Sequence, residues 1–188
     1  MDLIHMSGKV GAGTLTGHGL VHVYTGDGKG KTTAALGLAM RTIGNGMRVL
    51  IIQFMKTPDF YSECRAAESI EGLDIVSTAP SCLVFAESAG PEDIEAAREG
   101  VRIAREAIAS GRYQLVILDE VNVAVKWGLV DPEEIVRIVS SRPVGVEIVL
   151  TGRYAPKEFI EKADHVTEAR CVKHPYEKGI LSRAGIDR

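Results

Sequence analysis

The residues with the clearest chemical potential lie between positions 21 and 33, in the stretch VHVYTGDGKGKTT. Three glycines there precede a lysine and two threonines, namely Gly26, Gly28, Gly30, Lys31, Thr32 and Thr33. Glycines let the backbone turn so that successive N–H groups point into one concavity, where they hold phosphate oxygens together with a helix N-terminus. The lysine adds a positive charge, and the first threonine offers its hydroxyl to Mg²⁺. The stretch therefore predicts a phosphate-binding loop that carries a metal.

This loop departs from the common G-x-x-x-x-G-K-[ST] pattern, because Thr25 stands where the first glycine is expected. An apolar strand pattern precedes the loop and a helical pattern over 31–43 follows it, which is the context that such a loop requires. A glycine-rich turn that only caps a helix is the alternative. As a nucleotide site, the loop is predicted to bind through Gly26, Asp27, Gly28, Lys29, Gly30, Lys31, Thr32 and Thr33.

A second part of such a site is an apolar strand that ends in an acid, and residues 113–120, YQLVILDE, supply it. One carboxylate of the pair Asp119 and Glu120 is expected to contact Mg²⁺, directly or through water, while its neighbour orients a loop or a nucleophile. Either acid can be the direct ligand, and we favour Glu120. A strand-end capping acid is the alternative for Asp119. Lys31, Thr32 and Glu120 are thus the candidate catalytic residues, with Thr32 and both acids as candidate metal ligands.

Short apolar runs alternate with helical patterns along the chain, which is typical of a largely parallel sheet covered on both faces. The candidate strands are residues 20–25, 48–54, 73–77, 114–119, 145–151 and 164–169. Together with the phosphate loop, this alternation predicts a three-layer, P-loop NTPase-like (RecA-like) α/β domain with a mostly parallel sheet.

Two helices have clear boundary signals. Residues 92–110 carry apolar side chains at spacings of three and four, with Pro91 at the start and Gly111 just past the end. Residues 131–134, DPEE, open another helix with a capping carboxylate, a proline and negative charge at the positive end of the dipole. We expect one domain over residues 20–188, preceded by a flexible, glycine-rich tail over 1–19.

Composition excludes several classes of function. The 188 residues carry a net charge of -3, with a pI near 6.0, so there is no overall attraction to nucleic acid. The cysteines, Cys64, Cys82 and Cys171, form no C-x-x-C pair, which argues against a zinc knuckle or a disulfide framework and favours the cytoplasm. No apolar run approaches the roughly 20 residues that cross a bilayer. We therefore expect neither a nucleic-acid nor a membrane partner.

Beyond the loop, ordered segments of the chain resemble the ATP:corrinoid adenosyltransferase (cob(I)yrinic acid a,c-diamide adenosyltransferase) family of cobalamin biosynthesis. They are TGDGKGKTTAA at 25–35, Arg41, GNG at 44–46, QFMK at 53–56, LDEVN at 118–122, Arg142 with Pro143, TGRYAP at 151–156, AD at 163–164, VKH at 172–174, GI at 179–180 and GID at 185–187. The short T-G-x-G-K-G-K-T-T loop is this family's own form, so the absent first glycine agrees with the resemblance.

The resemblance implies transfer of the 5′-deoxyadenosyl group of ATP to the cobalt of a Co(I) corrinoid, with release of triphosphate. Cobalt is then the nucleophile, and the protein needs none of its own. The loop amides, Lys31 and Mg²⁺ would stabilise the leaving triphosphate. The resemblance also implies that Arg41 contacts nucleotide phosphate, although a helical arginine is usually a solvated surface charge. Arg153 follows a strand at the sheet edge where ligands bind, and we expect it to contact ATP.

The chain departs from this family over residues 57–90, where family members generally carry tryptophan and further aromatic residues. This chain has no tryptophan there, but it has Phe60, Tyr61 and Phe85. A Co(I) corrinoid needs a dry, apolar wall, and Phe54, Phe60 and Phe85 are the candidates. The alternative for each is a place in the core.

Two other functions use the same parts. A small kinase or ATPase would transfer the γ-phosphate or release ADP, and a regulator would bind ATP and leave it intact. The resemblance implies two partners in addition to the corrinoid: a flavoprotein that reduces cobalt, and a second copy of the chain in a homodimer. The sequence leaves open which corrinoid is the substrate and how ATP is oriented in the loop.

Overall fold

A computed structural model describes residues 17, 19–57, 59–79 and 89–187. Six strands form one sheet in which every neighbouring pair is parallel, in the order β3-β2-β4-β5-β1-β6. The strands are β1 Val21–Thr25, β2 Val49–Gln53, β3 Leu73–Ser77, β4 Leu115–Asp119, β5 Glu147–Thr151 and β6 His165–Glu168. Each of them falls within a predicted strand, so the predicted parallel α/β sheet is confirmed.

The helices connect these strands. They are α1 Lys31–Gly44, α2 Ser62–Ala67, α3 Pro91–Ser110, α4 Val121–Lys126, α5 Pro132–Ser140 and α6 Lys157–Lys162, followed by a 3₁₀ turn at Pro175–Lys178. The sequence predicted α1, α3 and α5 but not the other three, because α2, α4 and α6 have six residues each and are too short to show a helical period. In the described part of the chain, no helix has the length and apolarity that a membrane span requires.

The predicted helix boundaries follow the expected local chemistry. Pro91 opens α3, the Asp93 carboxylate accepts a hydrogen bond from the Gly90 N–H at 2.8 Å, and Gly111 ends the helix with a left-handed φ of 62°. At α5 the Asp131 carboxylate accepts from the Glu133 N–H at 3.0 Å. These caps satisfy backbone groups that a helix end otherwise leaves unpaired.

The core lies on both faces of the sheet. On one face Phe54, Val101, Ile135 and Phe159 belong to a cluster that joins the sheet to α3, α4, α5 and α6. On the other face Ala35 and Ala39 of α1 pack on β2, β4 and β5 through residues such as Ile51, Ile117 and Val149. Every residue of β2 and β4 is buried. This three-layer packing brings the carboxyl ends of β1, β4 and β5 together at one edge of the sheet.

Two helical glycines give a matched test of this packing. A Cβ on Gly100 of α3 would lie 2.8 Å from Cε1 of the buried Phe54 ring, whereas a Cβ on Gly37 of α1 would meet no atom within 4 Å. We expect Gly100→Ala to lower the free energy of unfolding by about 1–3 kcal/mol through overpacking. Gly37→Ala should raise it by about 0.5–1 kcal/mol through helix propensity. Urea unfolding of both variants checks this, and equal shifts would contradict the packing.

A polar cluster lies at the opposite, amino edge of the sheet. Glu147 accepts a hydrogen bond from the Leu20 N–H at 2.8 Å, and its other oxygen lies 2.5 Å from Nε2 of His22. The Arg142 guanidinium donates to the Gly19 carbonyl at 3.0 and 2.6 Å. Burial raises the pKa of Glu147, but the contacts with His22 and Leu20 and the charge of Arg142 outweigh it and hold the pKa below its usual range. Apart from Gly17 and Gly19, the predicted tail lies outside the described residues.

This pKa shift predicts how stability depends on pH. Because the folded protein holds Glu147 ionised, the carboxylate stabilises the fold above its unfolded pKa of about 4.3, and the contribution is lost as the pH falls through the lower folded pKa. Glu147→Gln should cost about 1–2 kcal/mol at pH 7 and progressively less in acid. Urea unfolding at pH 7 and near pH 3 measures both values. A cost that does not change with pH would show that the charge of Glu147 is not the cause.

Candidate nucleotide and metal site

The predicted phosphate loop lies between β1 and α1, at the carboxyl edge of the sheet. Gly30 precedes α1 with a left-handed φ of 117°, and its carbonyl accepts the first helical hydrogen bond from the Ala34 N–H at 2.7 Å. The loop therefore ends at the N-terminus of a 14-residue helix, where backbone N–H groups and the helix dipole favour an anion.

The segment that follows β6 packs directly on this loop. The Gly28 N–H donates to the Ala169 carbonyl at 2.7 Å, and the Asp27 carboxylate accepts from the Cys171 N–H at 3.1 Å. A Cβ on Gly26 would lie 2.3 Å from the Ala169 oxygen, and one on Gly28 would lie 2.7 Å from a backbone carbon of residue 170. These two glycines are thus required by the close approach of another backbone, which the sequence did not reveal.

Thr25, at the position of the absent glycine, has a structural use of its own. Its hydroxyl accepts a hydrogen bond from the Ala155 N–H at 3.2 Å. Ala155 lies on the loop between β5 and α6, so this bond ties the phosphate loop to the neighbouring loop that carries Arg153. A glycine at position 25 would lack this connection.

The two lysines of the loop have different partners. The Lys31 ammonium donates to the Gly28 carbonyl at 2.7 Å. The side chain therefore lies across the phosphate loop, in which it is predicted to bind phosphate. Burial lowers the pKa of Lys31, and the negative charge of Glu120 offsets this only in part. The Lys29 ammonium instead donates to the Ile186 carbonyl at 3.0 Å and pairs with the Asp187 carboxylate. The end of the described chain thereby contacts the loop.

Asp119 is the acid that lies beside the loop. Its side chain is fully buried, and Oδ1 accepts from the hydroxyls of Thr32 at 2.9 Å and Thr151 at 2.6 Å. Among the described residues no donor reaches Oδ2 with hydrogen-bond geometry, and the Lys56 ammonium at 2.8 Å neutralises it as an ion pair. The structure therefore places Asp119, rather than the favoured Glu120, against the threonine that is predicted to hold the metal.

Glu120 follows Asp119 with a left-handed backbone, at a φ of 62°. Its N–H donates to the Thr151 hydroxyl at 3.0 Å, and its carboxylate points toward Gly152, where a Cβ would lie 3.2 Å from Oε2. Burial, and then the charge of Asp119, raise the pKa of Glu120, while Lys56, Lys31 and Arg153 oppose this. Glu120 is therefore close to the loop cations but is not a partner of Thr32.

Arg153 lies on the loop after β5, where Asn122 helps to hold the backbone. The Asn122 amide donates to the Gly152 carbonyl at 2.9 Å, and Tyr154 has a left-handed φ of 60°.

Two cavities lie beside the phosphate loop. One, a polar cavity of about 530 Å³, is lined by Thr25, Gly26, Asp27, Arg153, Tyr154, Ala155, Glu168, Arg170 and Cys171. A second cavity of about 270 Å³ lies on the α1 side, lined by Tyr24, Lys29, Gly30, Lys31, Ala34, Thr167 and Ala169. The predicted loop residues and Arg153 thus share one edge of the sheet with two ligand-sized spaces.

Lys56 is a residue of this site that the sequence did not single out as functional. It is 7% exposed, and its ammonium contacts Asp119, Glu63 and Thr32. Burial lowers the pKa of Lys56, but the carboxylates, Asp119 first, raise it overall. The only signal in the sequence was its place in the QFMK segment shared with the family.

The structure separates two predicted residues, Arg41 and Phe54, from this site. Arg41 is exposed near the end of α1, ten residues beyond Lys31, which is about 15 Å along the helix axis, so it does not reach the loop of its own chain. Phe54 is 2% exposed and packs in the core against α3, so it offers no wall to a corrinoid in this conformation. Phe85 lies outside the described residues.

The residues present fit Mg²⁺. A threonine hydroxyl and a carboxylate are hard oxygen ligands, and Oδ2 of that carboxylate is paired with the Lys56 ammonium rather than with a hydroxyl or a backbone N–H of the described residues. Within the ranges that the structure describes, no group of three or more His, Cys, Asp and Glu side chains forms a metal cage. Mg²⁺ would therefore take its remaining ligands from nucleotide phosphates and water, as it usually does in nucleotide sites.

The parallel sheet, the glycine loop, and the Thr32 and Asp119 pair define a P-loop-like α/β protein. Its sequence matches the family described as ATP:corrinoid adenosyltransferase BtuR/CobO/CobP over residues 17–187. The chain belongs to this ATP:corrinoid adenosyltransferase family, and the resemblance inferred from its motifs is confirmed.

Individual relatives agree with this assignment. The chain is 35% identical to a corrinoid adenosyltransferase of Sinorhizobium sp. over 172 residues, which cover 90% of this chain and 80% of that protein. It is 34% identical to the corrinoid adenosyltransferase of Escherichia coli (strain K12) over 169 residues, covering 90% and 85%. An uncharacterized protein of Nostoc sp. is 38% identical over 182 residues, covering 87% of this chain but 47% of that protein. The chain thus spans less than half the length of this last relative.

The hydroxyl of Thr151 gives a test of the acid cluster, because it donates to Asp119 and accepts from the Glu120 N–H. Thr151→Val keeps the shape but leaves two buried groups without this partner. We expect a loss of about 1–3 kcal/mol of stability, together with about tenfold weaker Mg-ATP binding, equal to about 1.4 kcal/mol. Thr151→Ser keeps both bonds and serves as the control. Urea unfolding and calorimetric titration measure these effects, and equal Mg-ATP affinity in the two variants would contradict the positioning role.

Proposed function

We propose that this protein transfers the 5′-deoxyadenosyl group of ATP to the Co(I) centre of a corrinoid and releases triphosphate, in cobalamin biosynthesis or salvage. The observation that carries the proposal is the pairing of Thr32 with the buried Asp119 below a phosphate loop. It occurs in a chain whose family match extends over residues 17–187. The family match supports the chemistry, and the pairing supports a nucleotide and metal site of the kind that this chemistry needs.

The phosphate loop is proposed to hold the triphosphate. When the C5′–O bond breaks, negative charge develops on the departing oxygen, and backbone N–H groups fixed at the start of α1 can stabilise it without reorganising. Lys31 donates to the Gly28 carbonyl in this structure, and its ammonium is close enough to turn onto a bound phosphate. Mg²⁺ held by Thr32 and Asp119 would neutralise further charge on the leaving group. Glu120, as the neighbouring acid, is proposed to orient this arrangement.

Arg153 is proposed to contact the triphosphate from the other side of the loop. It lines the cavity of about 530 Å³ together with Arg170, so two arginines border a space beside the loop. Guanidinium groups bind phosphate oxygens in pairs of parallel hydrogen bonds. Glu168 and Asp27 also line this cavity, so its wall carries charges of both signs.

The bond changes require no nucleophile from the protein. The Co(I) centre donates an electron pair to C5′ of the ribose, the C5′–O bond breaks, and the triphosphate leaves with the electrons of that bond. Cobalt is thereby oxidised formally to Co(III), and no external oxidant is needed. The remaining task of the protein is to align cobalt and C5′ and to exclude competing ligands.

One of the predicted aromatic residues is proposed to form the apolar wall for the corrinoid. Phe54 is in the core and Phe85 is outside the described residues, which leaves Phe60 as the described candidate for an apolar wall. The Phe60 ring is partly buried and packs edge-on against the Tyr61 ring, with centroids 5.1 Å apart. Both residues lie between β2 and α2, on the same side of the sheet edge as Lys56.

We also propose two partners and a location. A homodimer is supported by the exposed edge strand β6 and by exposed apolar side chains that follow it, such as Val172 at 92% and Leu181 at 72%. A flavoprotein electron donor follows from the Co(I) requirement of the proposed reaction. The described cysteines, Cys64 and Cys171, are free thiols, which supports a cytoplasmic location.

The first experiment incubates the purified protein anaerobically with Mg-ATP and a chemically reduced Co(I) corrinoid. We expect triphosphate and a light-sensitive cobalt–carbon bond to appear in equal amounts. Lys31→Ala should lower the rate by about 10²-fold or more, because it removes charge from the leaving group. Lys157→Ala, at a lysine whose side chain is 83% exposed on α6, should react like the wild type.

Other outcomes would overturn the proposal. ADP and phosphate without the new bond would establish phosphoryl transfer or an ATPase, and bound but intact ATP would establish a regulator. Ion-exchange chromatography separates triphosphate from ADP, phosphate and ATP. One reaction mixture therefore distinguishes the three functions.

A further inference from the structure

The Lys56 ammonium lies among the oxygens that are proposed to hold Mg²⁺. Its Nζ is 2.8 Å from Asp119 Oδ2, 3.3 Å from the Thr32 hydroxyl and 3.3 Å from Glu63 Oε1. One hydroxyl and two carboxylates surround it, which are the ligand types that Mg²⁺ prefers. We propose that Lys56 is a placeholder cation that occupies the metal position when no nucleotide is bound and leaves it when Mg²⁺ arrives with the nucleotide.

The charge of this region requires a cation at all times. Asp119 is fully buried, and Glu120 follows it directly on the carboxyl side of β4. Two adjacent carboxylates with little access to water destabilise a fold unless a positive charge compensates them. Oδ1 of Asp119 has its own donors in Thr32 and Thr151, whereas Oδ2 has the Lys56 ammonium. Lys56 therefore neutralises the oxygen that is left for a metal.

Lys56 and Mg²⁺ compete because they need the same two side chains. The Asp119 carboxylate and the Thr32 hydroxyl each contact the ammonium in this structure. A metal bound to both would be only a few ångströms from a buried positive charge, and at such distances like charges repel strongly in the low dielectric of a protein. Mg²⁺ alone should accordingly bind weakly, whereas a nucleotide brings the phosphate charge that favours the exchange.

The structure also provides a place for the displaced ammonium. Glu63, at the start of α2, is the second carboxylate of Lys56, and the Tyr61 ring centroid lies 4.7 Å from Nζ. The Gln53 amide donates to Glu63 at 3.1 Å and holds this carboxylate near the end of β2. The flexible lysine stem can swing toward these groups without losing every favourable contact.

This inference rests on the proposed metal site but not on the corrinoid. The test therefore uses Mn²⁺ as a paramagnetic substitute for Mg²⁺ and measures its binding to the full chain by electron paramagnetic resonance, without nucleotide or corrinoid. The wild type should bind Mn²⁺ weakly. Lys56→Met keeps the length of the stem and removes the charge, and it should bind Mn²⁺ at least about tenfold more tightly.

Two control variants define the site. Lys157→Met makes the same change at an exposed lysine and should bind Mn²⁺ like the wild type. Lys56→Met combined with Asp119→Asn should lose the gain, because the competing oxygen is no longer an anion. Equal Mn²⁺ affinity in the wild type and Lys56→Met would overturn the proposal, and so would a gain that survives the Asp119→Asn change.

Stability gives a second readout if Lys56→Met folds poorly. In that variant the buried carboxylates lack their cation, and Mg²⁺ can replace it. Mg²⁺ without nucleotide should therefore raise the thermal midpoint of Lys56→Met but leave that of the wild type unchanged. No rescue by Mg²⁺ would overturn the proposal. These measurements involve no adenosyl transfer, so a gain of metal binding in Lys56→Met would stand even if the transfer assay identified another reaction.

Discussion

The burial of one carboxylate, that of Asp119, is the constraint on which the site depends. An ionised group with no access to water is stable only if hydrogen bonds and an opposite charge replace its hydration. Thr32 from α1, Thr151 from β5 and Lys56 from the loop after β2 provide this replacement. Three separate parts of the chain therefore converge on this one side chain of β4. These contacts form only where the carboxyl ends of the central strands meet. The order of the strands in the sheet therefore determines whether the site can form.

The backbone around this carboxylate is held in conformations that the rest of the fold must stabilise. Glu120 and Tyr154 both have left-handed φ angles, near 60°, although neither is a glycine. Such conformations cost about 1–3 kcal/mol each and tend to occur where function requires a particular orientation. Here the first belongs to the acid beside Asp119, whose carboxylate lies near Gly152, and the second belongs to the loop that carries Arg153. The surrounding contacts, including that of Asn122 with Gly152, offset the cost.

Several polar groups of the phosphate loop and of the acid beside it have partners within the protein. The Gly28 N–H donates to the Ala169 carbonyl, the Lys31 ammonium donates to the Gly28 carbonyl, and the Lys56 ammonium forms an ion pair with Asp119. Each of these groups is one that a nucleotide or its metal is proposed to use. Internal partners keep the buried polar groups paired without ligand. At the proposed site a nucleotide would exchange these contacts for its own, which would couple its binding to small movements of the loop, of the lysines and of the segment after β6.

The sequence by itself determined the six parallel strands, the three longer helices and the two chemical segments, the phosphate loop and the acidic strand end. These features arise from local patterns: glycine spacing, apolar runs and caps such as that of Asp131. Only the tertiary structure decided that Asp119 rather than Glu120 faces Thr32, that Lys56 joins the pair and that Ala169 packs on the loop. It also decided that Arg41 lies away from the loop and Phe54 in the core. The physical reason is that these facts depend on contacts between distant residues, such as Thr32 and Asp119, which are 87 positions apart, and on the left-handed φ of Glu120. A local sequence pattern contains neither kind of information.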